Sequence, residues 1–62
     1  MEITNDEFVK ITTNGVQGIV ITAGISQCLV RYNTQDGFEQ EWVRTDNLER
    51  ITATYLDELP VY

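Results

Sequence analysis

A chain of 62 residues has room for one domain. At that size only about 60% of the unfolded surface is buried on folding, so the core has to be small and dense. Ten acidic against four basic residues leave a net charge of −6, and there is no histidine. That balance repels a phosphate backbone, which needs clustered Lys and Arg, and it removes the commonest general base and metal ligand.

The single Cys28 excludes an internal disulfide and fits a reducing compartment. No purely apolar run exceeds three residues, too few to cross a bilayer. The opening MEITNDE is acidic and polar, the opposite of a secretory leader. The expectation is a cytoplasmic protein without membrane contact.

Residues 1–6 read as a short polar lead-in. Thr4 and Glu7 have capping-box spacing, which would suit one helical turn over Asn5–Val9. A strand over Phe8–Thr13 is preferred, because Val9, Ile11, Thr12 and Thr13 are β-branched and stiff at χ1. Asn14-Gly15 marks a turn. Gly18–Ala23 is the most apolar strand. Its run Ile19-Val20-Ile21 does not alternate, as expected of a central strand bent to bury parts of both faces. Gly24 permits the reversal into the next strand.

Gln27–Tyr32 alternates, with Cys28, Val30 and Tyr32 on one face and Leu29 and Arg31 on the other. Gln35-Asp36-Gly37 then makes a hairpin turn in which glycine takes the positive φ. In Phe38–Arg44, Phe38, Gln40 and Trp42 share one face, and Glu39, Glu41 and Val43 the other. Either the Trp42 face is core, or a bulge turns Val43 inward and Trp42 outward.

Beyond Thr45, the spacing of Leu48, Ile51, Tyr55 and Leu59 would suit an amphipathic helix. Thr52 and Thr54 and the lack of strong helix formers speak against it. The favoured reading is a tight turn at Asp46–Leu48, a strand over Glu49–Ala53, and a tail ended by Pro60.

Five short strands with glycine turns predict an all-β fold: a small five-stranded barrel over about residues 8–53, with a C-terminal tail or helical turn over 54–62. The succession Gly15-x-x-Gly18-x-Val20, Val30-x-Tyr32, Asp36-Gly37, Glu41-Trp42-Val43 and Asn47-Leu48-Glu49 resembles the SH3-like barrel superfamily in the Tudor and KOW style. The pattern is one of core and turn positions, so it carries fold more than function. The resemblance implies binding of proteins, methylated side chains or nucleic acid. A methyl-reading cage needs ring faces around a cation. Tyr32, Phe38 and Trp42 supply three rings, but only Phe8 precedes Gly15 to build the opposite wall, and core packing of Tyr32 and Phe38 is the preferred reading. The ending Leu48-Glu49-Arg50-Ile51 also resembles the plasmid-borne type II dihydrofolate reductases. Gln40-Glu41-Trp42-Val43 stands where that family carries Val-Gln-Ile-Tyr, so the motif of the active pore is missing.

Chemistry-bearing constellations are scarce. Cys28 has no histidine partner and sits mid-strand on an apolar face, a buried structural thiol. Glu39 and Glu41 share a strand face, which is too few oxygens for Ca²⁺. Asp36 belongs to the turn. Gly15 and Gly18 lack the helix and lysine of a phosphate loop. No catalytic residue, cofactor or metal is expected.

The reading is a small acidic, non-enzymatic interaction module that binds a protein partner or self-associates. Its contact surface would comprise Trp42, Tyr32, Asp36, Glu39, Glu41 and Arg44. The alternative is an acidic inhibitor or nucleic-acid mimic, viral or from a mobile element, that blocks a basic cleft on a host protein. A nucleic-acid-binding barrel using Arg31, Arg44 and Arg50 beside Trp42 and Tyr32 ranks last, because of the net charge.

Overall fold

The structure, a computed structural model, describes residues 2–62. Five antiparallel strands follow the chain: β1 (Phe8–Ile11), β2 (Gln17–Ala23), β3 (Gln27–Thr34), β4 (Gly37–Arg44) and β5 (Leu48–Arg50). Their order in the sheet is β4-β3-β2-β1-β5. Single 3₁₀ turns lie at Thr45–Asn47 and Leu56–Glu58. The all-β expectation is met, but the sheet does not close: β4 and β5 are its two edges. The second 3₁₀ turn lies within the expected tail, and no helix forms over residues 45–59. The last strand is shorter than expected: its pairing ends at Val9↔Arg50, and one further bond, from the Ile51 amide to the Phe8 carbonyl at 3.1 Å, reaches the start of β1.

The turns follow from local chemistry. Gly15 (φ 77°) and Gly37 (φ 121°) take left-handed backbone where a Cβ would be strained. The Asn14 side chain accepts from the Val16 amide at 3.0 Å, which closes the first turn. In the second, Gln35 and Asp36 keep negative φ and the positive φ falls on Gly37.

Val9, Ile11, Val20, Cys28, Val30, Val43 and Leu48 form one buried cluster along the inner face of the sheet. Among the described residues no helix or second sheet covers that face, so burial of these residues requires the sheet to curl over itself. Central position explains the unbroken apolar run of β2. It lies between β1 and β3, and the register slips by one residue between Val20 and Thr22. This bulge bends the strand and spares Ile21 from strict alternation.

Residues 2–6 are more than a polar lead-in. Ile3 joins the core, 7% exposed. The Asp6 amide donates to the Val20 carbonyl (2.7 Å), and Asn5 Oδ1 accepts from the Ala23 amide (2.7 Å), so the segment is tied to the bulged end of β2. The Thr4 amide donates to Glu7 Oε2 at 3.0 Å, but a strand follows instead of a helical turn. That bond, joined by Arg50, holds the Glu7 carboxyl below its ordinary range.

The tail packs on its own sheet. Leu59 is buried. Val61 forms a parallel bridge to Asn33, where β3 has run past the end of its pairing with β2. The Gln17 amide donates to the Tyr62 hydroxyl at 2.9 Å. Among the described residues no helix is long and apolar enough to cross a membrane.

Candidate interaction surface

The β3–β4 hairpin carries all six residues expected to make contact, and its register decides which of them act together. Pairing is unbroken from Thr34↔Gly37 to Gln27↔Arg44. β4 therefore contains no bulge. Val43 is nevertheless buried and Trp42 is 56% exposed. Of the two arrangements expected for β4, the one with Val43 inward and Trp42 outward occurs, but without the bulge. Plain alternation turns Val43 inward opposite Cys28, and the sheet leaves the Trp42 face uncovered.

β4 reaches the core only at Val43. The row Val20↔Val30↔Glu41 begins on two fully buried valines and ends on an exposed carboxylate. From Gly37 to Trp42 every β4 residue is exposed.

Cross-strand partners point to the same side. Tyr32↔Glu39 and Val30↔Glu41 thus lie on the inner side, while Leu29↔Trp42, Arg31↔Gln40 and Asn33↔Phe38 lie on the outer side. Tyr32 is turned away from Phe38 and Trp42, so the three rings form no cage. The expected core position of Phe38 is also overturned: it is 48% exposed. Arg31, its diagonal neighbour, lays its guanidinium 3.8 Å from the Phe38 ring centroid.

The arginines do not gather into a basic patch. Arg31 is occupied on Phe38, Arg44 pairs with Asp46 at 3.4 Å, and Arg50 pairs with Glu7 at 3.0 Å and donates to the Glu2 carbonyl. Asp36 sits at the exposed hairpin tip, its amide bonded to Thr34 Oγ1. Cys28 is buried, with its sulfur 3.7 Å from Thr45 Oγ1. Among the described residues no group of three or more His, Cys, Asp or Glu is placed to hold a metal ion.

On the inner side the Tyr32 hydroxyl donates to Glu39 Oε2 at 3.3 Å, and the Tyr62 ring meets Tyr32 edge-on with centroids 6.2 Å apart. Partial burial, then the charge of Glu41, then the bond to Glu39 push the Tyr32 phenol above its ordinary value. Between the unfolded phenol pKa of about 10 and the raised folded value, the folded state holds more protons, so stability falls as pH rises. This contribution is intact below about pH 10 and is lost as pH climbs through the folded value. Thermal midpoints measured from pH 8 upward are expected to fall less steeply in Tyr32→Phe than in the parent. Identical slopes would show that the phenol is unperturbed.

One surface residue gives little sign of itself in the sequence. Ile25, at the tip of the β2–β3 turn, is fully exposed. With Gly24, Ser26, Gln27 and Trp42 it lines a shallow groove of about 380 Å³. A larger groove of about 930 Å³ lies on the other side of the same tip, between Ile3–Asn5 and Ala23–Ile25. The available signal was an isoleucine between Gly24 and Ser26, where a turn ordinarily places a polar residue.

No protein-family model matches the chain, and neither a curated protein nor a solved structure matches it.

Proposed function

We propose that this chain is a non-enzymatic protein-interaction module on an SH3-like barrel scaffold. It binds a protein partner through the exposed strand β4 of the β3–β4 hairpin and the adjoining β2–β3 tip. The scaffold assignment is supported by the meander order of the strands and by the 3₁₀ turn that leads into Leu48 at the final strand.

The observation that carries the function is Trp42. Its indole is more than half exposed and shares a groove with the fully exposed Ile25. Tryptophan is among the residues that dominate interface energetics when a partner desolvates them. The charge of the hairpin supports a reading of the partner's charge. Glu39 and Glu41 have no cation within ion-pairing distance among the described residues, so a basic partner surface is favoured.

The test is affinity capture with the parent chain, Trp42→Ala and Ile25→Ser, from a lysate of the organism that encodes it. Ile25→Ser is expected to leave stability within about 0.5 kcal/mol of the parent, since the side chain is exposed. Trp42→Ala is expected to cost about 2 kcal/mol or more of binding, roughly a thirtyfold loss. A partner held equally by Trp42→Ala would overturn the reading, as would a monomeric chain that captures nothing.

A further inference from the structure

We propose that the free edge of β4 accepts an extended peptide segment as a sixth strand, and that this segment alternates basic and apolar residues. The inference rests on the reading that the hairpin binds a protein, and it specifies how.

β4 is the last strand in the sheet order, eight residues long, and pairs only with β3. The Thr45 amide donates back to Ser26 on the β3 side. By antiparallel alternation, the backbone groups of Phe38, Gln40, Trp42 and Arg44 therefore point away from the sheet. Natural sheets guard such edges with a proline, a bulge, a short strand or a covering segment. The opposite edge, β5, has only three residues. β4 has no proline, its register with β3 is unbroken, and all but one of its residues are exposed.

Its one guard is charge, and that charge selects the occupant. Glu39 and Glu41 project to one side of the edge, Phe38 and Trp42 to the other. A second copy is disfavoured by its own net charge of −6, and a two-fold pairing about Gln40 would in addition set Glu39 directly opposite Glu41, twice. An added strand with Lys or Arg opposite the two carboxylates, and apolar residues in the other register beside Trp42, matches both sides at once. Main-chain bonds would supply affinity, and alternate side chains the specificity.

The probe is the capped hexapeptide (Lys-Val)₃, titrated at low salt into the full chain while Trp42 emission is followed. The expected result is a saturable blue shift that weakens as salt rises. The block isomer Lys₃Val₃ and a (Lys-Val)₃ peptide N-methylated at its valines, whose amides face Phe38, Gln40 and Trp42, should each bind at least tenfold more weakly. Gln40→Pro should do the same: its amide faces outward, so proline removes an edge donor without taking a bond from the β3 ladder. Where Gln40→Pro fails to melt cooperatively, the N-methylated peptide decides alone. No saturable shift with (Lys-Val)₃ would overturn the proposal. Equal binding of the alternating, block and N-methylated peptides would also overturn it, showing adhesion by charge alone. Either result, obtained while a partner is still captured in a Trp42-dependent way, removes the strand-addition mode and leaves the interaction module standing.

Discussion

Ile11→Ala is expected to remove about 2–5 kcal/mol of stability, the usual cost of emptying a filled aliphatic core position. Ile11 is 2% exposed and pairs with Leu48 at the junction of β1 and β5. Its backbone bonds do not depend on the side chain: the amide donates to Val16 and the carbonyl accepts from Gly15, both at 2.7 Å. The loss therefore reports the cavity and the lost apolar contact. By the usual per-residue scale a chain of this length has about 3–9 kcal/mol in all, so the loss is a large share of the total. Ile11→Val, which removes a single methyl group, should cost about 0.5–1.5 kcal/mol. Urea unfolding of the three chains at 25 °C measures both. An Ile11→Ala midpoint indistinguishable from the parent would place Ile11 outside the core.

Gly18→Ala is expected to be at least as damaging, for the opposite reason. Gly18 lies on the inner face opposite Val9. A Cβ there would stand 2.3 Å from the Arg31 carbonyl oxygen and 2.8 Å from Val30 Cγ1. Valine can change rotamer, but the carbonyl belongs to the β2–β3 ladder beside the Ile19↔Arg31 pair. Relief requires the two central strands to part, which adds lost ladder bonds of about 0.5–1.5 kcal/mol each to an overpacking cost of about 1–3 kcal/mol. Gly15→Ala gives the contrast. Nothing lies within 4 Å of its added Cβ, and only the left-handed φ of 77° is penalised, at about 1–2 kcal/mol. Urea midpoints should therefore rank parent, Gly15→Ala, Gly18→Ala. If Gly15→Ala were the more damaging, the close approach of β2 to β3 would be contradicted.

Turn chemistry and β-branching were enough to find all five strands. Asn14-Gly15 and Asp36-Gly37 mark sharp reversals, and both glycines carry the positive φ their turns need. What escaped was which face is covered. Alternation states that Phe38, Gln40 and Trp42 share a side of β4, but coverage depends on where the sheet curls, a property of all five strands. Alternation alone left open whether the Trp42 face is core. β4, however, is an edge whose inner row has already passed from valine to glutamate at Glu41. The same limit concealed Ile3, whose inward turn depends on Asn5 and Asp6 reaching across to β2, a pairing without local periodicity. Of the six expected contact residues, the register divides Tyr32, Glu39 and Glu41 from Trp42 and Arg44. Ile25 came to light only through its exposure beside Trp42.

The proposed interaction surface stands or falls with the exposure of Trp42. As the only tryptophan, it gives an emission from a single source. Acrylamide quenching of the folded, monomeric chain is the direct measurement. A red-shifted emission, quenched nearly as readily as free indole, is the predicted result. A blue-shifted and protected emission would place Trp42 in the core and remove the surface on which the interaction reading is built.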